Sequence, residues 1–257
     1  MDEAHEENTE SVMRTVQSGP AISLVAGAAG LVVADAVSPL SLVGWTAGIA
    51  YLVTANTLLA LGLRRRGATR FGWANAATAS RSTLVGLVTA IVATSFTAPV
   101  SVPLLVGITV PALALDAVDG FLARRTGTTS ELGARFDMEV DAFLIMALSA
   151  YVAPLLGAWV LTLGLLRYAY VAAGWILPWL RAPVPPRYWR KVVAAYAGIA
   201  LTVAASGLTP WWISVGVVGI ALALLLESFG RDVVWLARRR RTASSAERDG
   251  AEVLAAR

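Results

Sequence analysis

The stretch DAVDGFLARRTGTTSELGARFDMEVD, residues 116–141, sets four aspartates into a chain that is otherwise mostly apolar. Asp116 and Asp119 are three apart and Asp137 and Asp141 four apart, so each pair shares one face of a helix. Each pair also stands at the end of an apolar run long enough to cross a bilayer. A bare Asp at the centre of a membrane helix costs about 2.5–3.5 kcal/mol on insertion scales. Four of them gathered at a membrane edge therefore call for a counter-charge, and a divalent metal is the simplest one. All-oxygen donors suit a hard cation, Mg2+ or Mn2+. Two carboxylate pairs would hold two such ions roughly 3.5–4 Å apart.

The rest of the chain agrees with a membrane setting. It has 257 residues, 57% hydrophobic and 15% charged, with a mean hydropathy of +0.66, too apolar for a soluble domain of this length. There is no cysteine, which excludes disulfides, zinc-thiolate sites and a cysteine nucleophile. The single histidine, His5, lies in an acidic N-terminal segment, so histidine chemistry is not expected, nor is a nucleic-acid partner. Hydropathy predicts about eight spans, at 20–37, 40–63, 74–97, 100–123, 136–155, 158–180, 192–208 and 211–236. Small residues recur in the first of these (Gly27, Gly30) and the last (Gly216, Gly219), a pattern that suits close helix packing. Residues 1–19 and 242–257 are polar and predicted to be solvated tails, in part helical.

Arginine placement predicts the orientation. The connections near 37–39, 97–101, 154–158 and 207–210 contain no Lys or Arg. The alternate connections hold Arg64, Arg65, Arg66 and Arg70, then Arg124, Arg125 and Arg135, then Arg181, Arg187, Arg190 and Lys191, and finally Arg238, Arg239, Arg240 and Arg241. By the positive-inside rule the latter side is cytoplasmic, together with both termini and the carboxylate stretch. The expected location is the cell membrane.

Eight fixed positions, Asp116, Asp119, Gly120, Ala123, Arg124, Gly133, Asp137 and Asp141, carry a specific resemblance. They match the DxxDGxxAR…GxxxDxxxD signature, and from about residue 73 to 236 the chain resembles the CDP-alcohol phosphatidyltransferases. The resemblance implies an all-α integral-membrane fold with a six-helix catalytic core at 73–241. Two extra transmembrane helices, at 20–72, would precede it. It implies transfer of a phosphatidyl group from CDP-diacylglycerol to an alcohol, with release of CMP, in a homodimer among membrane lipids. Asp116, Asp119 and Asp137 would bind metal, and Asp141 would act as base on the acceptor hydroxyl while also able to touch a metal. Gly120 and Ala123 leave room for the cytidine nucleotide, Arg124 can pair with its phosphates, and Gly133 would let the chain turn into the next helix.

Asn75, Thr78 and Arg81 repeat at three-residue steps and share a helix face. They resemble the polar N-x-x-T-x-x-R face that opens the family core and helps to hold the nucleotide. Arg81 sits deeper, where a guanidinium needs a phosphate or an acid. Arg135, Arg167, Arg187, Arg190 and Lys191 stand where phosphate-accepting members bind the incoming alcohol, so glycerol 3-phosphate or inositol phosphate would fit. The stretch GARFDMEVDAF departs from the GxxLDxxxD form associated with those users, which keeps phosphatidylglycerol and serine open as acceptors. A transporter using the same acids is the reading from another class. It would place them at the midplane of broken, repeated helices, whereas here they lie at helix ends. For Asp35, near the outer face, the sequence leaves open whether it is more than a helix cap, and Glu139, which is assigned no catalytic role, is free to pair with an arginine.

Overall fold

A computed structural model describes the backbone of residues 2–65, 73–126, 131–185 and 187–255, and side chains over 19–64, 78–116, 136–185 and 187–240. Among the described residues the fold is all-α, with no strand. The α-helices are α1 (Asp2–Val37), α2 (Leu42–Arg65), α3 (Trp73–Ser95), α4 (Val102–Thr126), α5 (Glu131–Leu156), α6 (Leu161–Ile176), α7 (Tyr188–Ser206) and α8 (Trp211–Ala255). Five apolar stretches are long enough to cross a membrane: Gly19–Val37, Leu42–Arg64, Phe136–Leu156, Ala158–Ile176 and Trp211–Arg240. A shorter one is Val102–Asp116. Ile22, Val25, Val33, Trp175, Ile176 and Trp211 are more than half exposed. Such an outer surface is stable against lipid rather than water. This is an all-α membrane fold.

Helix α3 is the hub. It packs against α1 and α2 on one side and α4 and α5 on the other. One buried cluster joins Val88 and Ile91 of α3 to Leu105 of α4, Leu148 and Val152 of α5, Leu201 of α7 and Val218 of α8. A second joins Leu31 of α1 and Leu52 of α2 to Leu87 and Ala90 of α3. The two N-terminal helices are thus built onto the remainder through α3. Their turn is fixed by Asp35, whose Oδ1 accepts the backbone N–H of Leu40 at 2.8 Å and lies 3.4 Å from the Trp45 indole nitrogen. This is a turn contact rather than a helix cap: Asp35 lies inside α1, and the Gly44 N–H in the first turn of α2 donates to Ser41 Oγ at 3.1 Å.

Several boundaries differ from expectation. The sixth predicted span divides into an α-helix of 16 residues with a 3-10 turn at each end, 158–160 and 178–181. Pro178 has no N–H to continue the ladder, which ends α6 just before it. Helix α7 begins at Tyr188 and α5 at Glu131. Arg190 and Lys191 therefore lie inside α7 rather than before it, and Gly133 and Arg135 lie in α5 rather than in a turn. Helix α8 carries its backbone through the polar C-terminal segment to Ala255. The small-residue expectation holds for α1, where a Cβ on Gly27 or Gly30 would press into Leu52 or Leu87. It fails for α8: no described atom lies within 4 Å of that position at Gly216 or Gly219.

Candidate active site

The four aspartates fall where α4 ends and α5 begins, each pair on its own helix. Asp116 is on α4, Asp137 and Asp141 are one turn apart on α5, and Arg81 comes from α3. One carboxylate oxygen from each of Asp116, Asp137 and Asp141 lies within 4.8 Å of the others. Residues 35 and 56 positions apart in the chain meet here, because α3 packs against both α4 and α5.

Arg81 occupies the middle of the cluster. Its side chain is 1% exposed, whereas those of Asp116, Asp137 and Asp141 are 31%, 22% and 29% exposed. Nη1 pairs with Asp116. Nη2 pairs with Asp137, also donates to the Asp137 carbonyl at 3.0 Å, and lies 3.1 Å from Asp141. Nε has no partner. Of the two partners open to Arg81 in the sequence, the structure shows the acids. With all three carboxylates ionised, one guanidinium leaves two negative charges over. A second positive charge, that of Lys191 at the start of α7, also acts on Asp137 and Asp141. Surplus charge, oxygen-only donors and partial access to solvent fit a hard divalent cation.

Thr78 lies one turn before Arg81 on α3 and is buried. The side chains of Asn75, Asp119, Gly120, Ala123, Arg124, Gly133 and Arg135 lie outside the described residues; their backbones fall within α3, α4 and α5.

The remaining cations are distributed more widely. Arg167, on α6, pairs with Glu139 on α5, the arginine contact open to Glu139 in the sequence. Arg190 reaches across to α8, 3.3 Å from the buried Asp232, and also donates to the Pro185 carbonyl. Arg187 stands at the N-cap of α7 with an extended backbone. Of the four acceptor-side cations among the described residues, Lys191 acts on the carboxylates, and Arg167 and Arg190 have acidic partners of their own.

Two neighbours of the cluster were not anticipated. The Tyr51 ring of α2 lies 4.6 Å from that of Phe143, two residues beyond Asp141. Its hydroxyl is 3.4 Å from Ser82, next to Arg81. No local pattern marks Tyr51, since a tyrosine in an apolar helix has no periodic signal that separates a lipid-facing ring from a buried one.

The CDP-alcohol phosphatidyltransferase family model matches residues 71–228, from just before α3 to within α8. The chain belongs to this family. Its members are enzymes of lipid biosynthesis that transfer a phosphatidyl group from a CDP-alcohol to an acceptor. Neither the comparison with curated proteins nor that with solved structures returned a match.

Proposed function

We propose that the protein moves the phosphatidyl group of CDP-diacylglycerol to a small alcohol, with glycerol 3-phosphate or inositol phosphate as the favoured class, and releases CMP. The observation that carries this reading is the convergence of Asp116, Asp137 and Asp141, with their excess negative charge, at the mouth of a membrane helix bundle in a chain of this family. Asp116, Asp119 and Asp137 would hold the cation, Mg2+ or Mn2+, in one or two places, with Asp141 able to share it. When bound, that cation supplies neutralisation of the pyrophosphate charge. Gly120 and Ala123 give the cytidine room on α4. Arg124 pairs with the phosphates, and Asn75 and Thr78 extend the polar face of α3 toward the nucleotide.

Asp141 takes the proton from the acceptor hydroxyl. The hydroxyl oxygen then bonds to the lipid-linked phosphorus, and the bond from that phosphorus to the bridging oxygen of the pyrophosphate breaks. CMP departs with that oxygen and its electron pair. Lys191, helped by Arg135 and Arg187, attracts an acceptor that itself bears phosphate. In this reading residues 73–241 form the catalytic unit, the active site and both termini face the cytoplasm, the cell membrane is the location, and the enzyme works as a homodimer.

Purified protein incubated with CDP-diacylglycerol and a panel of alcohols, with CMP release followed, tests the reading. Asp137→Asn should lower transfer by about 100-fold or more, since loss of an outer-sphere support alone costs about 10–100-fold and Asp137 is read as a direct ligand, while the protein stays folded in detergent. EDTA should abolish activity and Mn2+ or Mg2+ restore it. Substantial transfer by Asp137→Asn, or full activity in EDTA, rules the assignment out.

A further inference from the structure

The family match starts at residue 71, so α1 and α2 lie outside it, yet α2 reaches the carboxylate cluster from behind. Three glycines let it come close to α3. A Cβ on Gly44 would lie 2.6 Å from the Ala90 carbonyl, one on Gly48 2.8 Å from the Ala90 side chain, and one on Gly86 2.7 Å from Leu52. These near-contacts fix the register of α2 along α3 and bring Tyr51 level with Ser82. From there its ring spans to α5, tilted 37° against Phe143 at 4.6 Å between centroids. The charges of Arg81 and Asp141 both act on its phenol. Farther along α2, Leu59 and Leu63 pack with Ala79 of α3 and Phe136 of α5. Phe136 immediately precedes Asp137, Ser82 immediately follows Arg81, and Phe143 lies just beyond Asp141. The contacts of α2 with Ser82, Phe143 and Phe136 thus fall beside residues of the cluster, whereas those nearer its start, with Ala90 and Gly86, set its register.

We infer that α2 is the rear wall of the carboxylate site and that Tyr51 is a positioning residue, wedged between α3 and α5 so that Arg81 and the aspartates keep their spacing. The ring does most of this. It fills the gap between two helices that carry opposite charges of the cluster, while its hydroxyl makes a long contact to Ser82. The inference rests on reading the carboxylates as a cation site, and the test separates the two.

Full-length protein in detergent is titrated with Mn2+, free ion being followed by electron paramagnetic resonance, and its melting temperature is recorded alongside. Tyr51→Ala should weaken Mn2+ binding about tenfold, the lower end of what loss of an outer-sphere support costs. Tyr51→Phe, which keeps the ring, should recover most of that loss. Leu31→Ala removes fully buried packing between α1, α2 and α3 but touches none of the residues beside the cluster. It should lower the melting temperature and leave Mn2+ affinity as in the parent. Should Tyr51→Ala fail to fold, Tyr51→Leu, which keeps apolar volume without the aromatic ring, is titrated instead and should show the same direction. Unchanged Mn2+ affinity in the Tyr51 variant, or an equal loss in Leu31→Ala, overturns the role of α2 alone. A parent protein that binds no Mn2+ overturns the cation reading, and this inference with it.

Discussion

At the scale of single residues, Arg81 has the most unusual position. A guanidinium 1% exposed among three carboxylates is an internal counter-ion, and removing it strands their negative charge. Breaking a buried pair from one side typically costs about 3–5 kcal/mol, less where the acids keep some water, so about 2–3 kcal/mol is expected here. Arg81→Gln should therefore melt lower than the parent in EDTA. A divalent cation at the same carboxylates would replace the missing charge, so saturating Mn2+ should raise the melting temperature of the variant more than that of the parent. Equal stabilisation of both proteins would show that Arg81 and the cation do not share these acids. The face carrying Arg81 was legible because residues 75, 78 and 81 repeat at helical spacing. Its partners were not singled out, since they lie 35 and more positions away in sequence, and only the packing of α3 on α4 and α5 decides between acid and phosphate.

At the scale of elements, helix existence was legible and helix pairing was not. Apolar runs of the right length mark five of the helices as long enough to span, and the starts and stops at Pro and Gly follow from backbone chemistry; Gly207, at φ 66°, ends α7 in the left-handed conformation. Helices that are apolar all round carry no stripe to say which neighbour they face. Glycine content alone did not distinguish α1 and α2, which use their glycines for close approach, from α8, where Gly216 and Gly219 meet no described atom within 4 Å. Gly44 is the sharpest case. A Cβ there would come within 2.0 Å of the Thr94 hydroxyl oxygen and 2.6 Å of the Ala90 carbonyl. The hydroxyl could rotate away, but the carbonyl is backbone and cannot. Gly44→Ala must push α2 off α3 and should destabilise by about 1–3 kcal/mol, as overpacking does. Gly216→Ala adds a methyl to open space within a helix and should be neutral or stabilising by about 0.5–1 kcal/mol. Thermal melts of the two variants in one detergent decide it; a Gly44→Ala protein as stable as its parent would mean that α2 and α3 do not approach this closely.

At the scale of the whole molecule, the charge pattern and the helix order make one joint statement. The connections between α1 and α2, α3 and α4, α5 and α6, and α7 and α8 lack Lys and Arg, and the intervening ones are rich in them. Some of those cations also have local work: the Arg181 Nε–H donates to the Gly174 carbonyl at the end of α6, and Arg190 reaches Asp232. Their placement on one side of the bundle is still what the positive-inside rule requires of a cytoplasmic face. The absence of cysteine from the chain makes the orientation directly measurable, because any introduced thiol is the sole one. Thr97, between α3 and α4, and Pro183, between α6 and α7, are both exposed, and the proposed orientation puts them on opposite faces of the membrane. In intact cells a membrane-impermeant maleimide should label Thr97→Cys, and Pro183→Cys should react only after permeabilisation. The carboxylate cluster lies on the Pro183 side, where α4 ends and α5 begins, so the same experiment locates the chemistry. Labelling of Pro183→Cys from outside would put the aspartates on the face away from cytosolic nucleotides and overturn the proposed cytoplasmic active site.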